Sequence, residues 1–416
     1  MKQTSFIVAG AGGRGYGYAE YAKLYPQEGV CVAVCDPNDE ARNRFGDRHD
    51  IPEDRRFKDW KDLLDKPKMA DAILICTQDA MHKDPTIALS AMGYNILLEK
   101  PMAPTPEHCR EIVEAAVKNN IIFAVCHVLR YTDFNRKLKS LIDSGLIGKI
   151  HNVQLLEPVG YWHQAHSFVR GAWRNQEESS FMLLAKSCHD LDLLNFLIPG
   201  KCKKVSSFGS LSYFNRANQP KGAADRCVDC PLEIETDCPY SAIKIYLRDF
   251  GQNLSVWPVF AITRGETRDA VVAALKSGPY GRCAFACDND VVDHQVVNME
   301  FEGGTTAGFT MCAFNEAGGR QINIMGDRGT LQCTDGDITH FDFLTNKKTI
   351  ISPSDGDELA QSGHGGGDYG LMRSFLTAVR ENDQSKVSTG PDVTLDSHLI
   401  VFAAEKSRLN NTVETL

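Results

Sequence analysis

The strongest constraint in the chain is a glycine pattern in its first turn. Residues 6–9, Phe-Ile-Val-Ala, form an apolar strand run, and Gly10-Ala11-Gly12-Gly13-Arg14-Gly15 follows it before an amphipathic stretch at 16–25. Gly10 suits a tight turn, Gly12 lets the backbone approach a pyrophosphate, and Gly15 lets a helix pack closely on the strand. A helix starting here turns free N–H groups and the positive end of its dipole toward a phosphate. G-x-G-x-x-G alone is common. Placed between a strand and a helix, it predicts a dinucleotide site.

The spacing downstream agrees. Apolar strand runs at 30–35, 70–76, 95–98 and 121–125 alternate with helical stretches at 39–45, 85–92 and 106–119. Thr105 is a predicted N-cap with Pro106 at the first helical position. Continuous apolar strands alternating with helices predict a doubly wound parallel α/β sheet. Asp36 closes the second strand, where a carboxylate accepts hydrogen bonds from ribose hydroxyls. Pro37-Asn38 offers no cation for a 2′-phosphate, so NAD is expected over NADP.

The pattern changes near residue 127. A helix is predicted at 135–144, a long strand at 150–159 and a Leu-rich helix at 178–198. Strands follow at 205–214, 295–301, 305–314, 321–325, 330–333 and 349–351, then helices at 369–381 and 394–410. Gly303-Gly304 and Gly318-Gly319 read as hairpin turns. The expectation is a Rossmann domain over 1–126, then an α+β domain over 127–416 with a large, mostly antiparallel sheet. A Cys-containing insertion falls around 215–290.

Composition narrows the partners. The net charge is −9, which disfavours nucleic acid and anionic membrane, and no apolar run is long enough to span a bilayer. A strand begins within a few residues of Met1, which leaves no room for a secretory signal and predicts a cytoplasmic protein. Most of the 14 cysteines read as reduced buried thiols, but Cys227, Cys230 and Cys238 stand as C-x2-C-x7-C. With Cys283 as a fourth ligand they could form a tetrahedral structural zinc site. Packing thiols are the alternative.

Gly10 to Gly15, the Asp36 strand end, Glu99-Lys100-Pro101, Arg130-Tyr131, the Gly145–Gly148 turn and His189-Asp190-Leu191-Asp192 occur in an order that resembles the glucose-fructose oxidoreductase, inositol dehydrogenase and rhizopine-catabolism (Gfo/Idh/MocA) family. The resemblance implies an NAD-dependent oxidoreductase acting on a sugar or glycoside hydroxyl. Gly10, Gly12, Gly13, Arg14, Gly15, Asp36, Thr77, His82, Glu99 and Lys100 would hold the cofactor. Lys100 would lie beside the reacting hydroxyl, its ammonium stabilising the developing alkoxide, with Pro101 often cis in the family. His189 would take the proton. The family's carboxylate four residues earlier is replaced by Ala185, so Lys186 is the candidate polar stand-in.

Tyr161, Trp162, His163, His166, Arg170 and Trp173 form a dense aromatic and cationic segment suited to sugar faces and hydroxyls. Arg130 joins this substrate set, and His364, in a Gly-rich stretch, is a candidate lid residue. The family also implies a homo-oligomer through the open sheet, with Met299 and Phe301, or Phe309 and Met311, as outward apolar candidates. Two other readings stand: glycoside cleavage with recycled NAD, and a non-catalytic NAD-binding regulator.

Overall fold

The computed structural model describes residues 3–263, 265, 267–334, 336–353 and 365–416. Six strands come first: β1 Thr4–Ala9, β2 Gly29–Cys35, β3 Arg56–Phe57, β4 Ala72–Ile75, β5 Asn95–Leu98 and β6 Phe123–Val125. They form one parallel sheet in the order β3-β2-β1-β4-β5-β6. Strand order reverses between β1 and β4, which opens a crevice at their carboxyl ends. Every residue of β4 is buried, the signature of a sheet covered on both faces. The helix Pro106–Lys118 begins as its sequence predicts: the Thr105 side chain accepts the His108 N–H at 3.2 Å, and Pro106 follows.

A second sheet of nine strands follows: β7 Ile150–Pro158, β8 Cys202–Ser210, β9 His294–Phe301, β10 Thr306–Cys312, β11 Gln321–Gly326, β12 Gly329–Thr334, β13 Asp337–Asp342, β14 Lys347–Ile351 and β15 Glu414–Thr415. Their order is β14-β13-β12-β11-β7-β10-β9-β8-β15, antiparallel except for β7 beside β10. β13 has no counterpart among the predicted strands. Gly303-Gly304 turns β9 into β10 as expected, but Gly318-Gly319 does not make a hairpin. β7 lies between β10 and β11, so that connection crosses over a strand.

β9 and β10 alternate between buried and more exposed positions, so one face covers a core and the other is open. The alternation runs opposite to the expected outward set: Met299, Phe301, Phe309 and Met311 are all buried against the helix Cys188–Leu197 and its neighbours. The open face carries Asn298, Glu300, Thr306 and Thr310, with Phe208 at 60% exposure beside Val296. Among the described residues no helix is long and apolar enough to cross a membrane.

The boundary near residue 127 separates the sheets but not the cores. The helix Gly367–Glu381 places Leu371, Met372, Phe375 and Leu376 in one cluster with Phe6, Val8 and Tyr18 of the first sheet's side. The Gln384 side chain finishes the exposed edge of β6, accepting from the Phe123 N–H and donating to the Phe123 carbonyl, each at 2.9 Å. Between β8 and β9 the insertion is built of short helical turns and one ten-residue helix, Arg268–Ser277, around Phe214, Tyr240, Tyr246 and Phe285. Residues 211–214, predicted as strand, leave the sheet there.

Candidate active site

The glycine turn has the shape its sequence implies. Gly10 has φ +102°, and a Cβ there would lie 2.5 Å from the Cys76 carbonyl oxygen at the end of β4. A Cβ on Gly15 would meet the Gly10 oxygen at 2.1 Å, so the helix Gly13–Leu24 sits against the turn only because the position is glycine. Gly12 and Gly13 instead face open space, with nothing within 4 Å of a built Cβ. No acidic residue occupies the first turn of that helix, so its N-terminus offers a positive end to an anion. Asp36 accepts the Ala11 N–H and the Asn38 N–H, each at 2.8 Å, which fixes its carboxylate at the rim. Across the crevice the Thr77 hydroxyl oxygen is buried without a hydrogen-bond partner. This cradle fits a dinucleotide.

Glu99 follows β5 and is buried. Arg14 Nε donates to its Oε1 at 2.7 Å, the Tyr18 hydroxyl donates to the same oxygen at 2.8 Å, and the Lys100 N–H reaches Oε2 at 2.7 Å. Burial would raise this carboxyl, but Arg14 and Lys100 outweigh it and hold Glu99 below the usual range. Arg14 also makes a two-pronged contact to Asp368, at 2.9 and 3.1 Å. Its guanidinium therefore ties two carboxylates rather than standing ready for phosphate. His82 is likewise committed: it is fully buried, with Nδ1 on the Pro101 carbonyl at 2.9 Å and Nε2 on the Thr77 carbonyl at 3.1 Å. It clamps the loop after β4 to the cis Lys100–Pro101 peptide and presents neither nitrogen to a cofactor.

The Leu-rich helix predicted at 178–198 is broken. Met182–Ala185 forms one short helix and Cys188–Leu197 another, with Lys186 and Ser187 between them. Ala185 and Lys186 therefore do not lie one turn before His189 on a single helix face. The Lys100 ammonium donates to the Ala185 carbonyl at 3.0 Å, at the frayed end that the break exposes. The break thus brings Lys100 to the segment that starts the helix of His189. His189 is almost fully buried, its ring 5.8 Å from that of His127. His127 Nδ1 lies 3.9 Å from Asp192, and burial pushes this imidazole down to about 3, so it is neutral near pH 7. Asp192 is held by Arg130 through two 2.7 Å bonds and by Ser397 at 2.7 Å. Arg130, expected at substrate, is buried in this ion pair.

Lys186 is also paired. Its ammonium meets Glu157 at 2.9 Å, Arg320 meets the same carboxylate at 3.1 Å, and Arg320 Nε reaches Asp190 at 2.5 Å. Burial pushes Asp190 up to about 6, with Arg320 opposing and Glu157 adding to the rise. Glu157 and Arg320 escaped the sequence reading. Glu157 had a signal: it continues the inward alternation of Val153 and Leu155 in β7, and an acid on a core face needs a partner. Asp79, after β4, is raised by burial and drawn down by His82 and Lys100, which places a second carboxyl near the lysine.

The aromatic segment packs mainly against the insertion. Trp162 lies against Phe250 and Trp257 at ring distances of 4.6 and 5.0 Å, and Lys244 donates to the Tyr161 hydroxyl at 3.2 Å. His166 Nδ1 bonds the Tyr246 hydroxyl at 2.8 Å, and its ring stacks on Tyr280. Burial lowers His163 and His166 to about 3 each. Arg170 is fully buried, donating to the Arg282 and Tyr240 carbonyls at 2.7 Å. His166 and Arg170 thus serve the insertion's core, while Trp173 stays 44% exposed. His364 lies outside the described residues.

The zinc expectation is corrected. Cys227, Cys230, Cys238 and Cys283 line one cavity, yet among the described residues no group of three or more His, Cys, Asp or Glu is arranged to hold a metal ion. All are free thiols. Cys227 accepts from the Ala242 N–H at 3.3 Å and from Arg170 at 3.7 Å, and Cys283 accepts from Gln219 at 3.8 Å.

Known proteins share the two-sheet fold of this chain. YteT of Bacillus subtilis is 22% identical over 83% of this chain and 79% of its own length. The 2,7-anhydro-N-acetylneuraminate hydratase of Mediterraneibacter gnavus is 28% identical over 54% of this chain and 56% of its own. Levoglucosan dehydrogenase, solved with NADH and levoglucosan, superposes with a TM-score of 0.72 over 100% of this chain and 99% of its own at 16% identity, a likeness of fold. Residues 4–127 match the NAD-binding Rossmann model of the Gfo/Idh/MocA oxidoreductases, and 139–408 match that family's C-terminal alpha/beta model. A glycine cradle, a Glu-Lys-Pro strand end and a histidine helix, set on these two sheets, place the chain in the Gfo/Idh/MocA family of NAD-binding oxidoreductases.

Proposed function

We propose that the protein oxidises a sugar or glycoside hydroxyl, or reduces the matching ketone, with NAD as cofactor and with Lys100 and His189 handling the proton. The observation that carries this reading is the Lys100 ammonium on the Ala185 carbonyl, beside the helix that holds His189. Bound NAD supplies the hydride acceptor. As the hydroxyl oxygen gains negative charge, an ammonium at hydrogen-bond distance stabilises it, and an imidazole nitrogen takes the proton. Exchanging the Ala185 carbonyl for a substrate oxygen leaves Lys100 a partner in both states. Tyr161, Trp162, His163 and Trp173 supply apolar faces and polar edges for the ring. The inositol 2-dehydrogenase of Klebsiella pneumoniae, 30% identical over 48% of this chain, supports a polyhydroxylated substrate.

Lys100→Met and His189→Asn each keep most of the side-chain volume. Each should lower turnover on the order of 10² to 10⁴-fold. Both should still bind NAD, read by quenching of protein fluorescence. Wild-type turnover in both variants would overturn the roles assigned. A second reading is glycoside cleavage in which NAD is recycled, favoured by the hydratase relative, whose named reaction adds water. NADH accumulating in step with product supports the dehydrogenase; product without NADH supports recycling. We infer a homo-oligomer as well, through the open sheet face around Phe208 and Val296. Light scattering at micromolar concentration should return more than one chain.

A further inference from the structure

A cavity of about 540 Å³ opens between the loop after β4 and the insertion. Four arginines line it, the fully buried Arg170 with Arg174, Arg226 and Arg282, together with Gln78, Tyr280 and Glu178. Gln78 adjoins Thr77 of the dinucleotide crevice, so the cavity borders the cofactor cradle.

The charges do not balance. Arg174 is paired with Asp288 at 2.9 Å and Glu178 at 2.7 Å, and Arg282 shares Asp288 at 2.5 Å. Two carboxylates thus answer two of the four cations. Arg170 and Arg226 have neutral hydrogen-bond partners: backbone carbonyls of Arg282 and Tyr240 and the Cys227 thiol for one, and carbonyls of Leu275 and Gly278 for the other. Each also keeps one buried nitrogen without a hydrogen-bond partner, Arg170 Nη1 and Arg226 Nε. Carbonyl oxygens satisfy N–H groups but do not neutralise a guanidinium, which stays charged at any working pH. A buried cation in that state is stabilised by an anion, and carboxylate and phosphate oxygens match the planar fork.

We propose that this cavity receives an anionic group, a carboxylate or a phosphate, carried by the sugar substrate. The inference rests on the function proposed above for the ring and its hydroxyl, and adds the charge of the molecule. The ring would lie toward Lys100 and His189, and its charged group toward Arg170 and Arg226.

Binding of D-glucuronate, D-glucose 6-phosphate and D-glucose to the NADH-saturated protein, by calorimetry, tests it. NADH keeps the glycine turn filled, so phosphate cannot bind there instead. At least one charged sugar should bind tenfold or more tightly than glucose, and whichever does names the group. Arg226→Gln, which keeps an N–H for the Leu275 carbonyl, and Arg282→Gln should each reduce that preference at least tenfold with NADH affinity kept. Arg216→Gln, outside the cavity on Asp225, should leave it unchanged. The wild-type ratio needs no variant to fold. Equal binding of all three sugars, or binding of neither anion, would overturn the proposal. Anion-selective binding with no oxidation of any sugar would uphold the cavity and count against the dehydrogenase; oxidation of neutral sugars with no anion preference would do the reverse.

Discussion

Asp36 already holds two backbone N–H groups, so its removal acts on the cradle and on the ligand together. Asp36→Ala should weaken NAD binding about tenfold, roughly 1.4 kcal/mol, by titration of protein fluorescence. The wild type should bind NAD more tightly than NADP, because a carboxylate at the end of the second strand repels a 2′-phosphate; a tenfold preference for NADP would reverse the assignment. Asp190 gives a pH signature. Its folded value of about 6 lies above its unfolded value, so the folded state holds the extra proton. That contribution to stability is fully present below about pH 4 and is lost as pH rises toward 6 and beyond. Asp190→Asn mimics the protonated form, so its melting temperature should gain on the wild type as pH rises from 4 to 7. The steepest change is about 1.4 kcal/mol per pH unit. A constant difference would show that Asp190 does not titrate there.

At the scale of elements, the two glycines that meet in the first turn do different work from the two that face the cradle. Gly15→Ala would drive a methyl into the Gly10 carbonyl and against Val8 Cγ1 at 2.8 Å. It should cost stability by about 1 to 3 kcal/mol in urea unfolding and reduce NAD affinity. Gly13→Ala, with open space at its Cβ, should leave stability within about 0.5 kcal/mol. Most elements were legible because their signals are local: β5 at Asn95–Leu98 has the bounds its apolar run gave, and Thr105 caps its helix. What was not legible depends on partners far along the chain. The break at Lys186-Ser187 interrupts a Leu-rich run that carries no glycine or proline to mark it. Its carbonyl partner, Lys100, is 85 residues away. Glycine pairs read alike at Gly303 and Gly318, yet only one closes a hairpin, because β7, the strand Ile150–Pro158 from far earlier in the chain, occupies the other place. Arg130 looked like a ligand group by type; its burial in an ion pair with Asp192, 62 residues on, was not legible.

Taken as a whole molecule, the chain closes on itself. The helix Gly367–Glu381 supplies core side chains to the first sheet, and Thr4 donates its hydroxyl to the Leu376 carbonyl at 3.1 Å. Truncation after residue 126 would uncover Phe6, Val8 and Tyr18 on that side and leave β6 as a bare edge. A fragment of residues 1–126 should therefore aggregate or melt without a cooperative transition by circular dichroism, and should not retain NAD. A soluble, NAD-binding fragment would show that the returning helix is dispensable. The same return sets a timetable for synthesis. Domains generally fold in order as they leave the ribosome, the N-terminal one first. Here the first 126 residues emerge long before Leu371, Phe375 and the Asp368 partner of Arg14, so the nascent cofactor domain waits, with an apolar flank open, until the last tenth of the message is being read.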